Sequence, residues 1–87
     1  MENHEILTIG NLIEQKRRDK QMPQEELAFN CRIVRKTMSN IETDKHLPGL
    51  PLFVKIAQAL DMRGHELLKD IEYRGLLGDL FRTDKRH

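Results

Sequence analysis

Residues 24–41 read QEELAFNCRIVRKTMSNI, and this stretch decides the fold. Leu27, Ala28 and Cys31 recur at the spacing of one helical face, and a second apolar series begins at Val34. About four residues separate the two series, and between positions 27 and 41 there are three basic residues and no acidic one. The pattern predicts two short helices joined by a tight turn, which is a helix-turn-helix.

The second of these helices is expected to bury one side and to expose a wholly polar face. With about 100° of rotation per residue, Val34, Met38 and Ile41 define the buried seam. The opposite side carries Lys36, Ser39, Asn40 and Thr43, with Arg35 flanking it. Arg and Lys pair with guanine, and Asn with adenine, in the DNA major groove, where a helix-turn-helix places its second helix. The face therefore favours DNA contact over an ordinary solvated surface.

Length and composition indicate one small helical domain. The chain has 87 residues, of which 33% are charged and 5% aromatic, and its net charge of +1 is uninformative about partners. Cys31 is the only cysteine, so no intrachain disulfide can form, which fits a reducing compartment. The polar N-terminus and the lack of a long apolar run predict no signal peptide and no membrane association. We expect a cytoplasmic protein.

Three further helices are predicted around the motif. Thr8 caps a first helix that runs to about Lys20, and Pro23 marks the break before the second. The fourth helix opens at Leu50 or Pro51, the fifth spans about 65–72, and no strand-like alternation occurs. The fold class is therefore all-α, a compact five-helix bundle with a central helix-turn-helix. We expect an N-terminal arm over 1–8, the DNA-binding domain over 9–72 and a C-terminal extension over 73–87.

The stretch from Ile9 to Leu68 resembles the phage repressor (Cro/C1, or XRE-like) helix-turn-helix family. The matching residues are Ile9, Gly10, Ile13, Arg17, Gln24 to Ala28, Arg35, Thr37, Ser39, Ile41, Glu42, Lys45, Pro48, Lys55 to Leu60 and Glu66 to Leu68. The resemblance implies a lambda-repressor-like fold and a transcriptional regulator. Arg32 departs from the pattern, because the family usually has Gly in this turn. With arginine at this position, we expect either a different turn or a left-handed backbone at Arg32, whose strain costs about 1 kcal/mol.

The resemblance also implies the roles of individual residues at the DNA. The base-contacting set is Arg35, Lys36, Ser39 and Asn40. The phosphate-contacting set is Gln24, Thr37, Thr43, Lys45 and Arg32, of which Arg32 is added from its position in the turn and not from the resemblance. Glu42 is expected to form a structural salt bridge with a basic residue of the first helix, for instance Arg17.

The most economical function is a repressor that binds double-stranded DNA as a homodimer. The operator would be nearly palindromic, with half-sites about 34 Å apart. The alternative is a protein-interaction or antitoxin-type module on the same fold, with a toxin or antirepressor as its partner. Prophage, toxin–antitoxin and chromosomal settings fit equally well, and the length leaves no room for a separate sensor domain.

The C-terminal extension carries an apolar series at the spacing of one helical stripe. Its members are Tyr73, Leu76, Leu77, Leu80 and Phe81. We expect this stripe to form the dimer interface. The alternative is that it folds back on the chain's own core, against Ile6 and Leu7.

Other reactive residue types do not form recognisable sites in the sequence. The four histidines are scattered without metal-ligand spacing, which predicts no metal site and no cofactor. Cys31 is expected to be buried in place of a small core residue, and no catalytic arrangement is present, so we expect no enzyme activity. Phe29 stands where the family is usually polar, and is expected either to be exposed or to pack on the N-terminal arm.

Overall fold

The computed structural model describes residues 5–78, in which five helices are connected by short turns and no strand occurs. The helices are α1 (Ile9–Asp19), α2 (Gln24–Asn30), α3 (Arg35–Glu42), α4 (Leu50–Ala59) and α5 (Gly64–Tyr73). The predicted all-α, five-helix class is confirmed, with predicted boundaries within about one residue of those observed. Over these residues, no helix has the length and apolar character needed to cross a membrane.

All five helices contribute to one apolar core. Its buried members are Ile9, Leu12, Ile13, Leu27, Ala28, Cys31, Met38, Ile41, Ile56, Ala57, Leu60, Leu67, Ile71 and Leu76. Burial of each large aliphatic side chain contributes about 1.5–3 kcal/mol before the entropy of ordering is subtracted. The buried residues of α2 and α3 both belong to this core. Their packing fixes the orientation of the two helices and leaves the other side of α3 at the surface.

Val34 and Leu76 do not lie where their spacing placed them, and Leu68 is exposed beside a buried neighbour. Val34 is 67% exposed, because it is the N-cap of α3 with extended backbone (φ −79°, ψ 156°), and the helical angle does not apply to it. Leu68 is 42% exposed, although it follows the buried Leu67 on α5. Leu76 is only 7% exposed, and so belongs to the core and not to an external stripe.

Only some helix starts are capped by a side chain. The predicted cap at Thr8 is confirmed, because its Oγ1 accepts the Asn11 N–H at 3.0 Å. At α5, the Glu66 carboxylate accepts the backbone N–H of Arg63 at 2.8 Å. Pro23 and Val34 provide no side-chain cap for α2 and α3. Missing caps cost about 0.5–2 kcal/mol each, so α2 and α3 depend on core packing.

Each of the five helices is followed, two positions after its last residue, by a residue with left-handed backbone. These residues are Gln21 (φ 56°), Arg32 (φ 63°), Asp44 (φ 66°), Asp61 (φ 62°) and Gly75 (φ 75°). After α2, the Arg32 N–H bonds to the Phe29 carbonyl and the Ile33 N–H to the Ala28 carbonyl, both at 3.0 Å, which is a Schellman motif. Arg32 therefore keeps the family's turn and accepts a cost of about 1–2 kcal/mol, offset by packing of Ile33 against the core.

Asp70 on α5 forms one ion pair with α1 and a second with Arg74, four residues further along the chain. One carboxylate oxygen lies 2.8 Å from Lys16 Nζ, and the other accepts from Arg74 Nε at 2.8 Å. Burial by itself raises the pKa of Asp70, but the hydrogen bonds and charges of Lys16 and Arg74 outweigh it and leave the pKa below its ordinary value. Ionised Asp70 is thus favoured in the folded state.

We expect Asp70→Asn to lower the free energy of unfolding by about 1 kcal/mol at neutral pH, the upper end for partly exposed pairs. A lowered folded pKa gives stability that is fully present above the ordinary aspartate value of 3.8 and is lost as pH falls through the folded value. Thermal melts of both proteins between neutral pH and about pH 2.5 check this. The difference should narrow as pH falls below 3.8, and a pH-independent difference would contradict the prediction.

Candidate nucleic-acid interface

The exposed side of α3 presents the predicted contact residues together. Arg35 and Lys36 are exposed at its first turn, and Ser39 and Asn40 are half-buried one turn further along. Met38 and Ile41, on the opposite side, are at most 2% exposed and hold the helix against the core. Within residues 5–78, the side chains of Lys36, Ser39 and Asn40 form no hydrogen bond, so their donors and acceptors are available.

A buried ion pair holds α3 against α1. Arg17 donates from Nε to one Glu42 oxygen at 2.8 Å and from a terminal nitrogen to the other at 3.0 Å. Its remaining terminal nitrogen donates to the Met22 carbonyl at 2.8 Å. Arg17 is 8% exposed and Glu42 2% exposed. The predicted pairing of Glu42 with Arg17 is confirmed, in the bidentate geometry that fixes both side chains.

Gln24 extends this network from the core to the surface. Its Nε2 donates to Glu42 at 2.9 Å, and its Oε1 accepts from Arg35 Nε at 3.3 Å. The amide is therefore oriented at both ends, and the Arg35 guanidinium is held at the start of α3. One hydrogen of Nε2 remains for another acceptor, since a primary amide has two donors. The sequence did not predict this link, because Gln24 is uncharged and nothing in its spacing requires a partner on α3.

The charge at this surface is basic because the only acid of α3 is turned inward. Glu42 is the sole acidic residue of the helix, and its charge is neutralised by Arg17. Arg32, Arg35 and Lys36 are exposed around the turn and the first half of α3, and Lys45 is exposed just past its end. The arrangement attracts an anionic partner, although the net charge of the chain is only +1.

The C-terminal end of α3 limits what Thr43 can donate. Its hydroxyl donates to the Ser39 carbonyl at 2.8 Å. A hydroxyl has one hydrogen and a phosphate only accepts, so a phosphate contact by Thr43 would require that bond to break. The Asn40 carbonyl accepts from the backbone of Lys45 at 2.8 Å and of His46 at 3.2 Å. These bonds fix the position of Lys45 relative to α3.

Two residues outside this surface, Cys31 and Phe29, were considered as functional candidates because of their side-chain type. Cys31 is 1% exposed, as predicted, and burial raises the pKa of its thiol while the charge of Lys55 partly opposes the shift. The thiolate that nucleophilic chemistry needs is therefore disfavoured. Phe29 is 80% exposed, which decides between the two placements considered for it. In the described part of the chain, no three metal-binding side chains come together.

Several solved structures share this architecture. The restriction-modification controller protein C.AhdI from Aeromonas hydrophila is 29% identical, over 71% of this chain and 94% of its own, with a TM-score of 0.66. SinR, the master regulator for biofilm formation, solved in complex with DNA, is 31% identical over 70% of this chain and 98% of its own, with a TM-score of 0.64. The P22 c2 repressor, solved with a synthetic operator, shares the fold at 18% identity and a TM-score of 0.64.

No family model and no curated protein matches the chain. The likeness to SinR nevertheless covers almost all of that protein's solved chain at 31% identity. The chain belongs to the Cro/C1-type (XRE) family of helix-turn-helix regulators.

Proposed function

We propose that this protein is a sequence-specific DNA-binding transcriptional regulator, acting as a repressor on a near-palindromic operator. The carrying observation is the face of α3, whose exposed side chains are polar or basic and whose one acid is buried against Arg17. The relationship to SinR and C.AhdI supports the same function, since SinR was solved with DNA bound. Occupying the operator would block access of the polymerase.

The base contacts are assigned to Arg35, Lys36, Ser39 and Asn40. Arg35 is already oriented by Gln24, so less side-chain entropy is lost when it meets a guanine. Asn40 has a free amide in the second half of α3, and this amide matches the edge of adenine. Lys36 and Ser39 complete the reading surface.

The phosphate contacts are assigned to the rim of the same face. Gln24 retains one amide hydrogen for a phosphate, and Arg32 and Lys45 present exposed charges beyond opposite ends of α3. Thr37 is half-buried in the first turns of α3, and Thr43 joins only if it releases the Ser39 carbonyl. These contacts position the protein without reading sequence.

The dimer is assigned to an apolar groove beside the end of α3. The groove has a volume of about 220 Å³ and is lined by Ile9, Leu47, Pro48, Leu50, Phe53, Leu68, Ile71 and Leu77. Leu47 and Leu50 at its rim are 58% and 74% exposed. Leu47 lies two residues after Lys45, so a second copy docked here would carry its own α3 to a neighbouring half-site. Burying exposed leucines of both copies gives the two-fold contact its driving force.

This assignment changes the stripe predicted from the sequence. Tyr73 is 89% exposed and remains available to a partner copy. Leu76 lies in the chain's own core and Leu77 packs partly against it, so the extension folds back over these two residues. Leu80 and Phe81 lie outside the described residues.

Leu50→Asp tests the groove without a direct cost to the fold. Leu50 is the first residue of α4, where an acidic side chain is favourable. We expect wild type to sediment as a dimer at micromolar concentrations, Leu50→Asp as a monomer with reduced operator affinity, and the control Leu7→Asp as a dimer. Leu7 is a similarly exposed leucine, at 62%, that does not line the groove. A monomeric wild type, or a dimeric Leu50→Asp, would remove the groove from the interface.

A second candidate function, protein binding with DNA secondary, is favoured by the exposed face of α2. Phe29 is 80% exposed and shares a shallow depression with Pro23, Glu25 and Glu26. SinR, 26% identical in another solved structure, forms a complex with the protein SinI. A partner on this face and DNA on α3 would be separable, because Phe29→Ala should affect only the first.

Selection of bound sequences from a random DNA pool tests the main proposal. We expect a two-fold related consensus, and an affinity that falls steeply with salt because bound phosphates release counterions. A protein that enriches no sequence, or whose binding does not depend on salt, is not a regulator of this kind.

A further inference from the structure

Asp44 links the end of α3 to the beginning of α1. Its Oδ2 accepts the Thr8 hydroxyl at 2.6 Å, and its Oδ1 accepts the Gly10 N–H at 3.0 Å. Thr8 Oγ1 in turn accepts the Asn11 N–H at 3.0 Å. Two of the N–H groups that α1 cannot satisfy internally are therefore met, one of them by a residue 34 positions away. A carboxylate at this end also complements the helix dipole.

The two helices are in direct backbone contact at this point. A Cβ added to Gly10 would lie 2.5 Å from the Ile41 carbonyl oxygen and 2.6 Å from that of Glu42. Only a residue without a side chain allows α1 to approach the last turn of α3 so closely. The hydrogen bonds to Asp44 are thus made between segments that already touch.

The link to Asp44 is the second polar attachment between α1 and α3. The first is the pair of Arg17 with Glu42, near the other end of α1. Gly10 and Arg17 are seven residues apart, which is about 10 Å along the helix axis. An attachment at one point leaves a helix free to pivot, and two points separated along its axis oppose both rotation and sliding.

Asp44 also begins the segment that carries the DNA-proximal charge. It follows Thr43, the last capping position of α3, and precedes Lys45, whose N–H bonds to the Asn40 carbonyl at 2.8 Å. The orientation of Asp44 therefore bears on both Asn40 and Lys45. The carboxylate itself points to α1 and is engaged there.

We propose that Asp44 is a positioning residue for operator recognition, which holds the recognition helix α3 at its reading angle through Thr8 and Gly10 without contacting DNA. The proposal rests on the proposed DNA-binding function. It assigns Asp44 a role that its exposed position and its place at a helix end do not suggest. Two variants reach the same link from opposite sides, Asp44→Gly, which removes both acceptor oxygens and suits the left-handed backbone at φ 66°, and Thr8→Val.

The test measures affinity for the selected operator and for a scrambled duplex, at a temperature where circular dichroism shows every variant folded. We expect both variants to lower the ratio of the two affinities about tenfold, the size of one misaligned base contact. Thr8→Val changes no charge, and the ratio cancels the general gain in DNA affinity when Asp44 loses its charge. Thr8→Ser, which keeps the hydroxyl, should retain the wild-type ratio.

Two further readouts separate positioning from mere stability. The double variant should be no worse than the worse single variant, because residues in one hydrogen-bonded unit are not additive. Amide spectra of the free proteins should show shifts at Gly10, Asn40 and Lys45 in both variants and not in Thr8→Ser. Unchanged ratios, additive losses or unshifted Asn40 and Lys45 amides would overturn the proposal while DNA binding stands. A wild type that prefers no sequence would instead overturn the proposed function, and this inference with it.

Discussion

Glu42→Ala is expected to lower the free energy of unfolding by about 3–5 kcal/mol, because it leaves the Arg17 guanidinium buried without its counter-charge. Arg17 is only 8% exposed, so little of its side chain is hydrated when the counter-charge is lost. The same change removes the acceptor of Gln24 Nε2, and so releases the support of Arg35. The free energy of unfolding of a small domain is about 5–15 kcal/mol in total, so this loss is a large fraction of the stability. Urea unfolding followed by circular dichroism measures it.

Glu14→Ala is the matched control for this experiment. Glu14 also pairs with an arginine, Arg18, at 2.7 Å, but one turn away on the same helix, with side chains 32% and 56% exposed. An exposed pair of this kind contributes only about 0.3–0.5 kcal/mol. The prediction fails if Glu42→Ala costs no more than Glu14→Ala. Replacing Arg17 and Glu42 together by methionine should recover part of the loss, since apolar residues fill a buried ion-pair site without stranding a charge.

Helical spacing predicted the fold because most elements bury a simple apolar seam. The seams beginning at Ile9 and Leu27 and the cap at Thr8 follow from neighbouring residues alone. The pairing of Glu42 with Arg17 was accessible too, because a charge inside an apolar face needs a partner in a neighbouring helix. Such features depend on local periodicity or on the cost of an unpaired buried group.

Contacts made by ordinary polar residues at helix ends and in loops were not accessible in this way. The Thr8–Asp44 link joins residues 36 positions apart, and Asp44 is polar in a loop, which is the commonest pattern in any protein. Val34 was misplaced because a capping residue leaves the helical path. Leu76 was assigned to an interface because spacing alone does not tell on which side a helical extension meets its own core. The turn after α5, where Gly75 adopts φ 75°, redirects the chain and decides the matter.

The candidate site also has a part that the sequence predicts and a part that only the structure shows. The identity of the α3 face follows from its polar composition, and the structure adds how its side chains are held. Arg35 is braced by Gln24, whereas Asn40 has no side-chain partner within the described residues. Substitutions of Gln24 and Asn40 should therefore affect DNA binding differently. Loss of the Gln24 amide would act only through the orientation of Arg35, whereas loss of the Asn40 amide would remove the proposed contact with a base directly.

Asn40→Ala is expected to weaken operator binding by about 1–3 kcal/mol and to have much less effect on scrambled DNA. The structural reason is that the Asn40 amide has no hydrogen-bond partner within the described residues and lies on the polar side of α3. Its backbone carbonyl, which accepts from the N–H groups of Lys45 and His46, is unchanged by the substitution. Alanine also favours the helix, so loss of folding does not explain a weaker complex. Titration of both duplexes by fluorescence anisotropy measures the two affinities.

Lys45→Ala is the control that separates base reading from backbone attraction. Lys45 is exposed just past α3 and is assigned to a phosphate, so its removal should weaken both duplexes similarly and reduce the salt slope by about one unit. Asn40 carries no charge, and its removal should leave that slope unchanged. Equal losses on operator and scrambled DNA for Asn40→Ala would show that the amide does not read a base. In that case the sequence preference of α3 would have to come from Arg35, Lys36 and Ser39, and substitution of each in turn against the same two duplexes would identify the reader.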